Sequence, residues 1–289
     1  MDLCIDVIEL PEDVVEKAKI ELGEAPDERM EAISELKNQI LQQDIQGCLS
    51  DGFLLRFLRF EKFNVENALQ AYNDYYGVRR LYPEVFENLR PTLVEHVFTD
   101  RVAARLESPT SDGCPVIYFH PGQWDPQQWP LMDIFRANFL LAEELLLRWP
   151  SAQVHGVVIL VNLSGFSWSH CTSMLDLSFL RMAVHFLQGC TPIRIRAIHI
   201  FNQPLLFGCI FSIFKPLLKE NMQNRIKLHG NSLESLHADL PPQILPINCE
   251  LGGTAKAIPN QTYLDELRQL DAFFEKLTKP PMEKDTTEE

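Results

Sequence analysis

RAIHIFNQPLLFGCIFSIFKPLL, residues 196–218, joins two patterns that together decide the fold. Its first six residues are rich in branched and aromatic side chains and predict a short buried strand. The segment 202–218 that follows is apolar almost throughout and is interrupted in its middle only by Gly208 and Ser212. Such a helix normally lies in a core or against lipid, yet the chain carries a formal net charge of −14. A strand that leads into a helix is typical of a sheet with crossover connections.

Three further apolar runs predict strands, and helical patterns separate them. The strands are PVIYF at 115–119, GVVILVNL at 156–163 and, more weakly, RIKLHG at 225–230. The helical patterns cover 130–149, 173–188, 202–218 and 232–240, and one last helix is expected from Thr262 onward. Because parallel strands need crossover helices, this alternation predicts an α/β fold with a mostly parallel sheet.

The part of the chain before the strands is helical by its periodicity. Met30, Ile33, Leu36 and Ile40 keep helical spacing, and Asp51 stands where it would cap the next helix. We therefore predict three regions, which are an N-terminal helical bundle at 11–88, an α/β domain at 92–255, and a C-terminal helix and tail at 256–289.

Composition favours a cytosolic protein without a membrane-spanning segment. No stretch reaches eighteen uninterrupted apolar residues, and the N-terminus has neither the basic nor the apolar segment of a secretory signal. The seven cysteines are scattered, which is typical of reduced thiols and not of a disulfide framework or a zinc site.

The charge of the chain is unevenly distributed. Residues 181–229 hold seven basic side chains and one acid, a net charge of +6, which leaves −20 for the rest of the chain. A locally basic surface on an acidic protein indicates an anionic partner, although these charges could also simply be solvated. Nucleic acid is not expected as that partner, because the whole chain is acidic and the basic window lacks interleaved stacking aromatics.

Patterns of catalysis are absent from the sequence. It contains no nucleophile elbow, dinucleotide fingerprint, phosphate loop or zinc-protease motif. His120 with Asp125 and His170 with Asp176 are the nearest approaches to acid–base pairs, at separations that are common by chance. We therefore expect a protein that is not an enzyme and that needs no metal or cofactor.

Three helical segments carry more apolar surface than one helix face needs. Such segments could fill an ordinary core, or they could line a cavity for a greasy ligand, and the residues alone leave both interpretations open. In the second case Asn138, Ser167 and Gln188 are candidates to orient a ligand head group. The apolar residues are Phe135, Phe139, Leu140, Leu146 and Leu147, then Phe179, Met182, Phe186 and Leu187, and finally Phe207, Ile210, Phe211 and Phe214.

Several ordered motifs resemble one family. FLLRFLRFEKFNVENA, YFHPGQWDP, DIFRANFLLAEELL, PIRIRAIHIFNQPLLFGCIFSIFKPLLKENMQNRIKLHG and LHADLPPQILPINCELGG are similar to segments of CRAL-TRIO (Sec14-like) lipid-binding proteins. The similarity is strongest to the α-tocopherol transfer protein-like branch and extends over about residues 30–275. It implies a helical module followed by a CRAL-TRIO domain, whose apolar pocket lies under a lid helix at the stretch after Pro204.

The resemblance also implies the residues that bind the lipid. Asn138 and Ala142 replace small hydroxyl residues of the tocopherol branch, and Phe166 replaces a tryptophan, so the identity of the ligand does not carry over. The implied ligand-binding residues are Phe135, Asn138, Phe139, Ala142, Val157, Val161, Phe166, Phe186, Leu187, Ile193, Phe207, Ile210, Phe211 and Phe214.

Basic positions beside the lid are implied to bind a phosphoinositide head group, such as that of phosphatidylinositol bisphosphate. Arg194, Arg196 and Arg225 match three of these positions, and Lys219 lies close to a fourth that is Asn221 here. Arg194 and Arg196 are two residues apart in an extended segment and should therefore point the same way.

The resemblance implies a monomeric cytoplasmic carrier that docks on endosomal or other phosphoinositide-bearing membranes. It would hold a tocopherol, a retinoid or a similar hydrophobic lipid and transfer it to such a membrane. The alternatives are a scaffold that binds a partner protein through the apolar helix and a hydrolase of lipid esters.

Overall fold

A five-stranded sheet forms the centre of the protein. The computed structural model describes residues 5–189 and 191–278, so the predicted tail beyond Thr278 lies outside the described residues. The spatial order is β1-β2-β3-β4-β5, with β1 antiparallel to β2 and the other neighbours parallel. The strands are β1 Ala103–Arg105, β2 Val116–Phe119, β3 Val157–Asn162, β4 Ile195–Phe201 and β5 Ile226–Leu228.

The mostly parallel α/β sheet predicted from the sequence is confirmed, and one strand was missed. β1 is an edge strand of only three residues, and two of them are alanines. Alanine has a low preference for strands, so β1 offers no apolar alternation that a sequence pattern could detect.

Within the described residues, helices lie before β1, after β5 and in the connections between the parallel strands. The N-terminal helices are α1 Glu12–Leu22, α2 Arg29–Gln42, α3 Asp51–Phe60, α4 Val65–Leu81 and α5 Pro83–Phe86. The next five are α6 Glu95–Thr99, α7 Met132–Arg148, α8 Ala152–His155, α9 Trp168–Met174 and α10 Leu177–Gln188. The last five are α11 Phe207–Phe214, α12 Glu220–Gln223, α13 Leu233–Asp239, α14 Gln261–Arg268 and α15 Asp271–Thr278.

Two predicted helices are each divided in the structure. The segment 173–188 belongs to α9 and α10, because the Asp176 side chain accepts a hydrogen bond from the Ser178 amide and caps a new helix there. The last helix likewise ends at Arg268, and α15 begins at Asp271. The apolar stretch 202–218 is helical only in α11, because Pro216 in the short 3₁₀ turn that follows cannot continue an α-helix.

The N-terminal helices pack against the α/β part through one continuous core. Arg56 on α3 donates a hydrogen bond of 2.7 Å to Glu143 on α7, and both side chains are buried. Phe86 contacts Phe139 of α7 edge to face, with the ring centroids 4.9 Å apart. These helices therefore support α7 from behind. The predicted domain limits at 11–88, 92–255 and 256–289 stay predictions.

Helix α1 packs beside the edge of the sheet where β3 and β4 begin. Val14, Ala18 and Leu22 of this helix form a small core with Val154 of α8. Just after the helix, Glu24 accepts two hydrogen bonds from the buried Arg59, at 2.8 and 2.9 Å. These contacts place the last turn of α1 next to the start of β4.

Candidate functional site

A cavity of about 340 Å³ lies between one face of the sheet and the helices α7, α10 and α11. Side chains alternate along a strand, so every second residue of β3 and β4 faces this space. Val157, Ile159 and Val161 of β3 line it, and so do Ile198 and Ile200 of β4. The apolar helices predicted from the sequence therefore enclose a cavity and do not simply fill a core.

The predicted ligand-binding residues converge on this cavity, with one exception. Its lining includes Phe135, Asn138, Phe139, Ala142, Val157, Val161, Phe186, Leu187, Ile193, Phe207, Ile210, Phe211 and Phe214. Phe166 is not among the lining residues, because its buried ring stacks on His170 at a centroid distance of 5.3 Å, and its part in ligand binding stays a prediction. Phe179, one of the apolar helix residues singled out from the sequence, also lines the cavity, and further lining residues that the sequence did not indicate include Ile134, Ala183 and Thr191.

Polar groups in the lining are few, and Asn138 is the most informative of them. Its Oδ1 atom is buried and has no hydrogen-bond partner among the described residues. An unpaired buried acceptor is costly, so a donor group on a ligand would find favourable pairing there. The other two candidate head-group residues do not reach the cavity. Ser167 is exposed, and Gln188 Oε1 accepts a hydrogen bond from the Lys219 amide.

Helix α11 is the predicted lid helix. One of its faces covers the cavity, and apolar side chains are exposed on and around its other face. Phe207, Ile210, Phe211 and Phe214 face inward, and the rings of Phe207 and Phe211 stack at 5.4 Å. Four apolar side chains nonetheless stay exposed near this helix. The first is on α9, the second just before α11, the third within α11 and the fourth in the turn after it. They are Trp168, Leu205, Ile213 and Leu217, and Leu205 is fully exposed.

Arg194 and Arg196 lie on one side of the β4 start and share an acidic partner. Arg194 Nη2 is 3.5 Å and Arg196 Nη1 is 3.3 Å from the same Glu21 carboxylate oxygen, on α1. Arg194 Nη1 also donates to the Val154 carbonyl at 3.0 Å. The predicted common direction of the two arginines is thus present, but an internal carboxylate already faces them. Sequence reasoning missed Glu21, which is 175 residues from Arg196.

Arg225 lies beside these arginines, whereas Lys219 is oriented toward the N-terminal helices. Arg225 Nη1 donates to the Ile195 carbonyl at 2.5 Å, and its charge helps to lower the pKa of Arg194, an effect that arises mainly from burial. Burial raises the pKa of the Glu61 carboxyl, and the nearby Lys219 ammonium opposes that shift. The three arginines therefore form the local positive cluster, whereas Lys219 lies near the Glu61 carboxyl.

The histidines considered for catalysis take structural hydrogen bonds. His170 Nε2 donates to the Trp124 carbonyl at 2.7 Å, and its Nδ1 accepts from the Ser167 amide at 2.9 Å, which closes a helix cap. His120 Nε2 lies 2.9 Å from Ser164 Oγ and 3.0 Å from the Ser164 carbonyl, which has no proton to donate. An Nε2–H that donates to this carbonyl cannot act as the base for the hydroxyl. These contacts do not support the hydrolase alternative.

Within the described residues, no helix has the length and hydropathy needed to cross a bilayer.

Comparison with known proteins agrees with this architecture. Residues 102–253, which hold all five strands and helix α11, match the model of the CRAL/TRIO domain. The chain belongs to the CRAL/TRIO family. Similar proteins include the mouse alpha-tocopherol transfer protein-like protein, at 38% identity over 96% of this chain and 80% of the relative. The human protein of that name is 39% identical over 89% of this chain and 75% of its own length.

Clavesin-1 of the rat is a further CRAL/TRIO relative, at 33% identity over 85% of this chain and 69% of its own length. Among solved structures, that of Sfh5 matches with a TM-score of 0.45 and 10% identity, over 86% of this chain and 98% of the other. The domain match and the sequence relatives confirm the expected family and its lipid-binding class. The tocopherol relatives are named as transfer proteins and not as enzymes.

Proposed function

We propose that the protein carries one hydrophobic lipid in the cavity and delivers it to membranes that contain phosphoinositides. The observation that carries this proposal is the cavity itself, which is lined almost entirely by apolar side chains and covered on one side by α11. Its volume of about 340 Å³ lies in the range of small-molecule pockets. A tocopherol, a retinoid or a lipid of similar size and polarity is the proposed cargo.

Asn138 supports a cargo that carries a hydroxyl or another donor group. Its unpaired Oδ1 is a buried acceptor in a lining that is otherwise almost entirely apolar. A hydroxyl on the lipid would restore the hydrogen bond that this oxygen lacks, while the rest of the molecule contacts hydrocarbon side chains.

The lid supports a release step that is coupled to membrane contact. Opening α11 would expose four large apolar side chains, each worth on the order of 1.5–3 kcal/mol when fully buried. A bilayer can accept the same side chains, so the cost of opening falls at a membrane surface. Trp168, Leu205, Ile213 and Leu217 are already exposed around the lid and would enter the interface first.

The arginines at the start of β4 are the proposed phosphoinositide site. Arg194, Arg196 and Arg225 offer guanidinium groups that can hold phosphate through charge-assisted hydrogen bonds. In the described conformation Glu21 faces two of them, so a head group must displace this carboxylate or bind beside it. Lys219 is proposed only as an outlying contact.

Native mass spectrometry followed by a vesicle transfer assay tests this proposal. The purified protein should carry one small lipid, and it should move a fluorescent tocopherol analogue faster to acceptor vesicles that contain phosphatidylinositol bisphosphate. Ala142→Phe would fill the cavity and should abolish uptake, whereas Ala272→Phe, at an exposed position of α15, should not. A folded Ala142→Phe variant that transfers the analogue as fast as the wild type would contradict the carrier proposal.

A further inference from the structure

A cluster of titratable side chains lies on the face of the sheet opposite the cavity. Ile198 and Ile200 of β4 point into the cavity, so His199 between them points the other way. There it meets His229, which follows β5, and Asp239 at the end of α13. Neither the lipid cavity nor the arginine cluster uses these three residues.

The geometry of this cluster brings three potential ligand atoms together. His199 Nδ1 lies 2.9 Å from His229 Nε2, and the two rings are stacked with an interplanar angle of 12°. The Asp239 Oδ2 atom is 3.8 Å from His199 Nδ1. One ligand atom from each residue lies within 4.8 Å of those from the other two. Two imidazoles and one carboxylate that converge in this way are a donor set that zinc prefers.

A further hydrogen bond orients the second imidazole. Ser235 Oγ lies 2.8 Å from His229 Nδ1, on the side of the ring away from His199. When this Nδ1–H donates to the serine, the lone pair on Nε2 faces the cluster. A partner of this kind fixes the tautomer and the ring orientation of a metal-binding histidine.

Both histidines are buried, and burial lowers their pKa values. The pKa of His199 is lowered to about 4, despite the opposing effect of the Asp239 carboxylate. Metal binds the neutral form of an imidazole. With the His229 Nε2 lone pair facing the cluster, His199 Nδ1–H donates to His229 Nε2 in the metal-free chain, so coordination through Nδ1 requires His199 to shift its proton to Nε2.

We propose that His199, His229 and Asp239 bind one divalent transition-metal cation of the zinc type. Tetrahedral coordination at Zn–N distances near 2.0–2.1 Å separates two ligand nitrogens by about 3.4 Å. The observed separation of 2.9 Å is a hydrogen-bond distance, so the rings must move apart by about half an ångström and turn until both lone pairs face the metal. Water completes the coordination sphere on the side of Asp239, whose side chain is partly exposed.

The positive charge of Lys227 should affect cation binding at the same site. Its ammonium on β5 lies 2.7 Å from Asp239 Oδ1, and half of its side chain is exposed. This positive charge opposes a cation at Oδ2, so Lys227 should weaken metal binding. Replacing it with an uncharged residue should strengthen binding, which is an effect that mere loss of structure cannot produce.

Metal binding at this cluster would connect β4, the end of β5 and α13. β5 is the edge strand of the sheet and directly follows Arg225. A cation that binds only the folded chain stabilises it in proportion to the logarithm of its concentration over the dissociation constant. The inference does not depend on the carrier proposal, because its residues face away from the cavity.

Titration of the chelator-stripped full-length protein with Zn²⁺ and with Co²⁺ tests the inference. Calorimetry should show one site, and Co²⁺ should give the intense visible absorption of a tetrahedral complex. His229→Gln and Asp239→Asn should each weaken Zn²⁺ binding at least tenfold. His185→Gln, an exposed histidine that bonds to Tyr82, is the matched control and should bind as the wild type does. Lys227→Gln should bind several-fold more tightly.

Thermal unfolding with and without Zn²⁺ provides the second readout. Zinc should raise the melting temperature of the wild type and of His185→Gln, but not that of His229→Gln. If His229→Gln does not fold, the exposed positions Asp239 and Lys227 still decide the question. Equal Zn²⁺ affinity in the wild type, Asp239→Asn and Lys227→Gln, or no saturable site at all, would overturn the assignment.

Discussion

Replacing Glu21 with glutamine should strengthen binding to vesicles that contain phosphatidylinositol bisphosphate. The Glu21 carboxylate lies 3.5 Å from Arg194 Nη2 and 3.3 Å from Arg196 Nη1. A head group that binds these arginines must compete with that carboxylate. Removing its charge therefore removes a cost of binding, while the arginines stay in place.

The expected size of this effect follows from the exposure of the groups. About a third of the Glu21 side chain is exposed, so each contact has the energy of a solvated ion pair, roughly 0.2–1 kcal/mol. Two such contacts amount to about 1 kcal/mol, which corresponds to about fivefold in the dissociation constant. The gain should shrink at high salt, because screening weakens exposed pairs.

Vesicle co-sedimentation with and without phosphatidylinositol bisphosphate measures the change. Glu16→Gln is the matched control, because it removes the same charge from an exposed position on the same helix. The double variant Arg194→Ala/Arg196→Ala should lose the phosphoinositide dependence, with or without Glu21→Gln. Equal gains from Glu21→Gln and Glu16→Gln would refute the reasoning, since net charge alone would then explain the effect.

Three further predictions concern stability and ligand choice. Glu24→Gln should destabilise the protein by about 3 kcal/mol in urea unfolding, because it leaves the buried Arg59 without its carboxylate partner, whereas the exposed Glu28→Gln should change little. Asn138→Leu should raise the free energy of unfolding of the lipid-free protein by about 1 kcal/mol. The same variant should bind a hydroxylated lipid no better than its methyl ether, and a retained preference for the hydroxyl would contradict the role of Oδ1. With chelator present, the free energy of unfolding should fall as the pH decreases from about 6.5 to about 4. In this range the unfolded chain protonates its imidazoles, whereas the buried His199 of the folded chain stays unprotonated. His199 accounts for about 3 kcal/mol of this loss, so His199→Gln should flatten the pH profile, and an unchanged slope would contradict the prediction.

Periodicity predicted the fold well where one face of an element is buried. The strands at 116–119, 157–162 and 195–201 and the helices that separate them follow from local patterns alone. Whether their apolar side chains fill a core or surround a space could not be predicted in this way. Phe135 and Phe186 have the same spacing in either case, and only their arrangement in three dimensions leaves the cavity open.

The candidate site was harder to predict wherever partners are distant in sequence or side chains can rotate. Nothing near Arg196 in the sequence indicates Glu21, because α1 reaches the start of β4 only through its packing on Val154. Phe166 occupies the position that the resemblance implies, but its ring turns to stack on His170. A resemblance transfers positions along the chain, and it transfers neither rotamers nor long-range ion pairs.

Strand β4 explains how the three candidate functions can lie within a few residues of one another and still act on different chemical groups. Its first residues place Arg194 and Arg196 beside α1, and its centre alternates between Ile198 and Ile200 in the cavity and His199 on the far face. Alternation separates the cavity residues Ile198 and Ile200 from His199, and the register shift between Val157 and Val158, opposite Ile195 and Ala197, lets Arg194 and Arg196 lie outside the cavity. A displacement of β4 would shift residues at all three sites, because tightly packed strands transmit a displacement to their neighbours. Zinc binding at His199 should therefore change lipid affinity if it displaces β4, and lipid binding would then change zinc affinity by the same factor.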